Sequence, residues 1–327
     1  MPDIVTLGEA LIDLVSTKSG VSLEEAPKFL RAAGGAPANV AVALSRLGNS
    51  AGFIGKVGAD PFGEFLFHTL SDEGVDTTCM LSETGAHTTL AFVSLMNNGE
   101  RDFIFYRDPG ADMFLSESDI DTDYLIDCRI FHHGSISLIS EPNRTATIIA
   151  RRIAASAGAV ISYDPNIRLS LWPDPETARK GVRAALEGTD IVKVSTEELA
   201  FITGTDDMDK GCSLILDMGV SLVTVTLGAA GSYYRTVAVS GQVPGFKVDV
   251  VDTTGAGDAF AAGVLAGLLP FVKQSRAICD LDKEDYYKIL RLANAVGALV
   301  TTERGVIPSL PTKGEVEALT NGTIFER

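Results

Sequence analysis

The alternation of short apolar runs with helix-period segments most constrains how this chain can fold. Runs rich in Val, Ile and Leu at 4–8, 51–57, 129–135, 159–164, 190–195 and 221–228 read as strands, and the segments 36–47, 61–73, 142–157, 175–187, 207–218, 257–269 and 284–302 between them read as helices. Parallel strands need long crossover connections, which helices supply. The pattern therefore predicts an α/β fold with a mainly parallel sheet covered on both faces. Ligands bind such sheets beyond the carboxyl ends of the strands. Polar residues collect at those ends: Asp164 and Asn166, Ser195 and Glu198, Thr226 and Gly228.

Residues 88–107, "TTLAFVSLMNNGERDFIFYR", break the pattern. Two β-rich runs flank Asn97-Asn98-Gly99-Glu100, a hairpin signal. A hairpin does not easily join a parallel sheet, so it is read as a small β lid, with further strands expected from residues 12–30. Neither a linker nor a repeat divides the chain, and residues 1–327 are read as one domain.

Hydrophobic residues make up 46% of the 327, enough for a large core. A net charge of −16 speaks against a nucleic-acid partner, which would call for the opposite sign. Cys79, Cys128, Cys212 and Cys279 lie far apart with no zinc-ligand spacing and are expected to be buried structural thiols in a reducing cytoplasm. The N-terminus "MPDIVTLGEALIDLV" lacks a basic signal-peptide region. Residues 259–272, the nearest approach to a membrane span, read as a buried core helix because Gly263, Gly267 and Pro270 interrupt them, so no membrane association is expected.

Two stretches carry candidate chemistry. "DTTGAGDAFAAGVLAGLLP" (252–270) leads from glycines through Asp258 into an apolar helix. A helix N-terminus favours anions, and glycines let a phosphate approach the backbone. The segment is neither a Walker loop nor a dinucleotide fingerprint. Asp258 taken alone also reads as an ordinary N-cap. "RAAGGAPANVAVALSRLG" (31–48) places Gly34-Gly35 before a helix with Asn39 in its first turn, which on its own reads equally as a tight strand-to-helix turn. His132 and His133 are adjacent on a strand and point to opposite faces, which argues against a two-histidine metal site.

Together, "GGAPANVAVALSRLG" and "DTTGAGDAFAAG" resemble the two signatures of the PfkB, or ribokinase-like, carbohydrate kinases, in that family's order. "FHHGSISLI", "DPNIRLSLWP", "KVSTEELAFITG" and "LANAVGALVTTERGVIPSLP" resemble the fructokinases of that family, so the resemblance covers nearly the whole chain. It implies a ribokinase-like three-layer α/β/α domain and an ATP- and Mg²⁺-dependent sugar kinase converting D-fructose to D-fructose 6-phosphate.

The resemblance also implies site roles. Asp258 matches the catalytic base, and Gly255, Ala256 and Gly257 match the anion hole. Asp13, Gly34, Gly35 and Asn39 match the sugar site, and Arg107 and Arg168 match arginines facing sugar or phosphate. Lys193, Ser195, Glu198, Thr226, Gly228, Gly231 and Asn294, with Gly257, match the ATP site. Glu198 would order Mg²⁺ through water, although Ser195 stands where the family usually has Asn, a change often shown by fructokinase-type sequences. Asp252, Thr254, Gly305 and Ser309 resemble a K⁺ site, and also read as ordinary turns. The expected partners are a small-molecule sugar and ATP. Lid edges that need pairing leave room for a homodimer. The competing readings are another PfkB kinase such as a 2-keto-3-deoxygluconate kinase, kept alive by Arg107, and a non-catalytic sugar- or nucleotide-binding protein. A hydride-transfer Rossmann enzyme is disfavoured because "TLGEAL" lacks GxGxxG.

Overall fold

The structure, a computed structural model, describes residues 1–18, 20–95 and 101–322. Thirteen strands are described: β1 (Ile4–Leu7), β2 (Leu11–Ser16), β3 (Phe29–Gly34), β4 (Ala51–Gly58), β5 (Met80–Glu83), β6 (Leu90–Leu95), β7 (Arg101–Tyr106), β8 (Ile130–His133), β9 (Val160–Tyr163), β10 (Ile191–Ser195), β11 (Leu222–Thr226), β12 (Ser232–Arg235) and β13 (Ser240–Val243). Nine of them form one sheet in the order β13-β12-β11-β10-β9-β8-β1-β4-β5. Pairing is parallel from β5 to β11, and β12 and β13 add antiparallel at one edge.

Central strands such as IVTL, IVKV and LVTVT are β-branched and buried, as strands covered on both faces must be. One face packs helices Ala36–Arg46, Ala256–Lys273, Lys283–Leu299 and Lys313–Thr320 around the largest core cluster. The other carries Asn143–Ser156, Pro175–Leu186, Thr196–Thr203 and Met208–Leu216 over two smaller clusters. The Ala256–Lys273 helix is long and apolar enough to cross a membrane, yet its residues Asp258 to Leu265 are buried in this core.

From β1 the chain builds outward one way through β4 and β5. After β8 it builds the other way through β9 to β13. The order therefore reverses between β1 and β8, where an open α/β sheet forms its ligand crevice. Pro37, in the first turn of the helix starting at Ala36, lies beside Gly8 and Gly134, which follow β1 and β8, and the bond from Asn39 to Asp258 brings the helix starting at Ala256 to the same end.

The segments read as lid strands form a second sheet, β3-β2-β6-β7, with β2 parallel to β6 and the other pairs antiparallel. The turn residues Asn97 to Glu100 lie outside the described residues. Elements not expected from periodicity include β5, β12 and β13 and the helices Thr196–Thr203 and Lys313–Thr320. Each of these strands is only four residues long, too short for alternation to stand out. The thiol expectation needs one correction: Cys79, Cys128 and Cys212 are buried, but Cys279 is exposed, in the loop after the long core helix.

Candidate active site

The Ala256–Lys273 helix begins one residue earlier than its apolar pattern suggests. Its N-cap is Gly255, in the left-handed region at φ 79°, and Asp258 makes no capping bond. A side chain on Gly255 would meet Val306 Cγ1 at 2.3 Å as well as backbone strain, so glycine is required twice over. The N-cap reading of Asp258 is thereby replaced. Its Oδ2 instead accepts a 2.8 Å hydrogen bond from Asn39 Nδ2, in the first turn of the other site helix.

Burial pushes the Asp258 carboxyl up to about 6. The Asn39 bond opposes the rise, Asp164 adds to it, and Lys193 and Arg168 oppose it. An acid poised near neutrality beside a helix N-terminus has the properties of a general base. Asn39 Oδ1 is buried without a protein partner, which leaves an acceptor beside the carboxylate.

Around Asn39 the turn is tightly built. Gly35, at φ 104°, starts the helix, and Glu9 Oε1 accepts the Ala36 amide at 3.0 Å. A Cβ on Gly34 would stand 2.2 Å from Asp13 Oδ2, so the missing side chain makes room for that carboxylate. Asp13, Gly34, Gly35 and Asn39 are thus brought together where β2 and β3 meet the helix.

Arg107, expected to face a ligand, is paired with an acid in the structure. Its Nε and Nη2 lie 2.8 and 2.7 Å from Asp112 Oδ2, and both side chains are buried. Asp112 Oδ1 accepts from the Thr89 hydroxyl at 2.5 Å. The guanidinium is thus ion-paired with a carboxylate, hydrogen-bonding through Nε while Nη2 makes no hydrogen bond of good geometry. Arg168 is only half-buried, and its described hydrogen bonds are two long ones to local carbonyls at 3.3 and 3.4 Å. It follows Asn166, held at φ 40°, on the loop leaving β9.

Lys193 Nζ bonds Asp164 Oδ2 at 2.9 Å in a buried pair. The same nitrogen lies 2.8 Å from where a Cβ on Gly257 would be, so the ammonium covers the helix start. Burial would lower the lysine, but Asp164, Glu198 and Asp258 outweigh it and hold the proton. Asp164 was noted only as a polar strand-end residue; an acid at the carboxyl end of a parallel strand was its sequence signal.

Glu198 forms a capping box with Ser195, accepting the Ser195 amide at 2.9 Å and the Ile167 amide at 2.8 Å. Burial raises its carboxyl, Lys193 opposes this and Asp164 reinforces it. Among the described residues no cluster of three His, Cys, Asp or Glu forms a metal cage. With both Glu198 oxygens already accepting amides, the residues fit a Mg²⁺ held by nucleotide phosphates with water between, and do not fit a protein-coordinated ion.

Thr226, Gly228, Gly231, Ala256, Gly257 and Asn294 line one cavity of about 520 Å³. Phe246, Lys247 and Val248, which carried no sequence signal, form another wall. Asn294 donates to the Val243 and Pro244 carbonyls at 3.0 and 3.2 Å, so its amide anchors this wall. Lys193, Ser195 and Glu198 are not among the lining residues. The Ala256 amide is partly engaged by the Thr253 carbonyl at 3.3 Å, which leaves Gly257 and Asp258 as the freer donors of the first turn.

Asp252 Oδ1 accepts from the Thr254 amide and hydroxyl at 2.9 and 2.6 Å. Ser309 Oγ donates to the Gly305 carbonyl at 2.5 Å. These two turns meet where Val306 covers Gly255. His132 and His133 are buried and held neutral by burial, both pushed down to about 3.

The chain is 48% identical to fructokinase-1 of Zea mays over 314 residues, 96% of each chain. The structure resembles that of fructokinase with bound ATP from Xylella fastidiosa, with a TM-score of 0.90 and 36% identity over 98% of this chain and 99% of that one. It also resembles fructokinase from Vibrio cholerae O395 in its fructose-, ADP- and calcium-bound form, with a TM-score of 0.86 and 37% identity over 97% and 99%. The pfkB family carbohydrate kinase model matches residues 1–313, and the chain belongs to that family.

Proposed function

We propose that this chain is an ATP-dependent fructokinase that transfers the γ-phosphoryl group of ATP to D-fructose, giving D-fructose 6-phosphate. The observation that carries this is the placement of Asp258, a buried carboxyl with a pKa of about 6. It lies at the start of the helix that also walls the 520 Å³ cavity. A base and an anion-stabilising helix end on one turn suit in-line phosphoryl transfer.

Asp258 accepts the hydroxyl proton of the sugar as that oxygen attacks. Asn39 holds the carboxylate through Nδ2 and offers Oδ1 to a sugar hydroxyl. Asp13 and the Gly34–Gly35 turn complete the sugar cradle. The amides of Gly257 and Asp258, with Lys193 and Arg168, neutralise charge on the transferring group. Mg²⁺, when bound with ATP, draws charge from the phosphates, and Glu198 and Asp164 would meet it through water. The small sheet, carrying Asp13, excludes water that would otherwise take the phosphoryl group. Arg107 positions this sheet through Asp112, which weakens the motive for an acidic sugar.

K⁺ is proposed at the turns of Asp252, Thr254, Gly305 and Ser309, where it would stiffen the loop bearing Gly255. Rates measured in K⁺ and in a bulky organic cation at constant ionic strength should differ; equal rates remove this site. A homodimer through the small sheet is proposed because Ile104 and Tyr106, on one of its faces, are 46% and 61% exposed. Sedimentation of wild type and Ile104→Lys tests it. The three buried thiols suit a cytoplasmic location, which cell fractionation checks. The function itself is tested by ATP consumption over a panel of sugars and sugar acids. Fructose should give the highest kcat/KM, and a higher value for 2-keto-3-deoxygluconate would overturn the substrate assignment.

A further inference from the structure

A second cavity, of about 320 Å³, lies on the opposite face of the main sheet, between the Asn143–Ser156 and Pro175–Leu186 helices. Its walls are mainly apolar, formed by Leu138, Ile139, Ile148 and Trp172. Arg144, Arg151 and Lys180 also line it, and none of its described lining residues is acidic. Three cations around one apolar pocket stand out in a chain of net charge −16.

The charges are unevenly satisfied. Lys180 and Arg144 meet Glu176 and Glu141 at 2.7 and 3.7 Å in exposed pairs that contribute little, and Arg144 also donates from Nε and Nη2 to the Leu138 and Ile139 carbonyls at 3.0 and 2.8 Å. Arg151 has a single described hydrogen bond, from Nη1 to the Ala185 carbonyl at 2.9 Å, and burial pulls its guanidinium below its ordinary value. Two further lining side chains have unpartnered buried atoms, Trp172 Nε1 and His133 Nε2. His133 Nδ1 lies 3.0 Å from the Gly134 carbonyl and must donate to it, which leaves Nε2 as an acceptor. Buried polar atoms without partners are uncommon and are satisfied when a ligand supplies the match.

We propose that this cavity is a second ligand site, for a small aromatic acid bearing a hydroxyl group. The apolar walls take the ring. Arg151 and the Trp172 N–H take the acid, Arg144 and Lys180 add positive charge at the exposed side of the cavity, and His133 Nε2 accepts from the hydroxyl. A volume of this size matches a ligand of about a dozen heavy atoms. Occupancy is communicated to the active site, because Trp172 ends the segment that begins at Asp164 and carries Arg168, and Trp172 packs on Gly181 of the Pro175–Leu186 helix.

Trp172 is the chain's single tryptophan, so its fluorescence reports on this cavity directly. The probe is 4-hydroxyphenylacetate, with tyramine, which replaces the acid by an amine, as the control. The wild-type protein should show a saturable fluorescence change with the acid and none with the amine, and the change should persist at saturating ATP and fructose. Arg151→Ala should weaken it roughly tenfold. Because Arg151 also supports Ala185, Lys180→Glu serves as an exposed second variant whose fold is not at risk, and it too should bind more weakly. Bound acid should change kcat or the fructose KM. No saturable change, equal response to tyramine, loss of the change with ATP, or unweakened binding in Lys180→Glu would overturn the site. Binding with unaltered kinetics would overturn the communication.

Discussion

Asn39 Nδ2 donates to Asp258 Oδ2 at 2.8 Å across 219 residues of sequence, joining the first turns of two helices that flank the crevice. The bond holds the carboxylate in one orientation and favours its charged form against a burial that opposes it. Without the amide, the carboxyl would hold its proton to higher pH.

The pH dependence follows from that balance. A base must be ionised to act, so kcat/KM should fall about tenfold per pH unit below about 6. In Asn39→Ala the hydrogen bond that lowers the pKa is gone, so this acidic limb should move to higher pH. Since Asn39 is also assigned to the sugar, the position of the limb, and not the size of the rate, is the readout. An unmoved limb would show that the bond does not tune the base.

Arg107 and Asp112 form the second buried relationship to test. Removing one partner of a buried pair leaves an uncompensated charge, at about 3–5 kcal/mol. Arg107→Met should therefore lower the denaturant midpoint strongly, and Asp112→Asn added to it should recover part of the loss. If Arg107→Met keeps its stability and instead raises only the fructose KM, the arginine faces the sugar as its sequence position suggested.

Gly255 has both a positive φ and a side chain packed against its hydrogens. Gly255→Ala should be destabilised by roughly 1–3 kcal/mol from the backbone conformation, with the Val306 clash added. Gly255→Ala with Val306→Ala should recover only the clash. Full recovery of the melting temperature would show that the backbone carries no strain.

These residues also show what the sequence could and could not tell. The sheet and its covering helices were legible because buried parallel strands leave runs such as "IVKVS" and "SLVTVTLG". Asn39 and Asp258 were legible as members of two motifs, but their contact was not, because no local pattern encodes a pairing between distant helix ends. Ser195 and Glu198 were read as metal and phosphate residues. Their S-x-x-E spacing is equally the signature of a capping box, and both of its bonds are made. Arg107 was read as ligand-facing, and its pairing with Asp112 was not legible because that partner lies beyond a loop whose course periodicity does not define. The Phe246–Val248 wall of the large cavity had no signal, since it is irregular backbone.

The most direct test of the account is Asp258→Asn, with kcat and melting temperature measured on one preparation. The amide keeps the shape and can still meet Asn39, but it cannot take a proton. The account predicts a fall in kcat of at least ~10²-fold. A carboxyl raised from 3.8 to about 6 binds its proton more tightly in the folded state, so its contribution is favourable below about 4 and lost as pH rises through about 6. Ionised Asp258 therefore costs the fold on the order of 3 kcal/mol at pH 8. The neutral variant should accordingly melt higher than wild type at pH 8, while turning over far more slowly. A folded variant with near-normal kcat would contradict the assignment of Asp258 as the base.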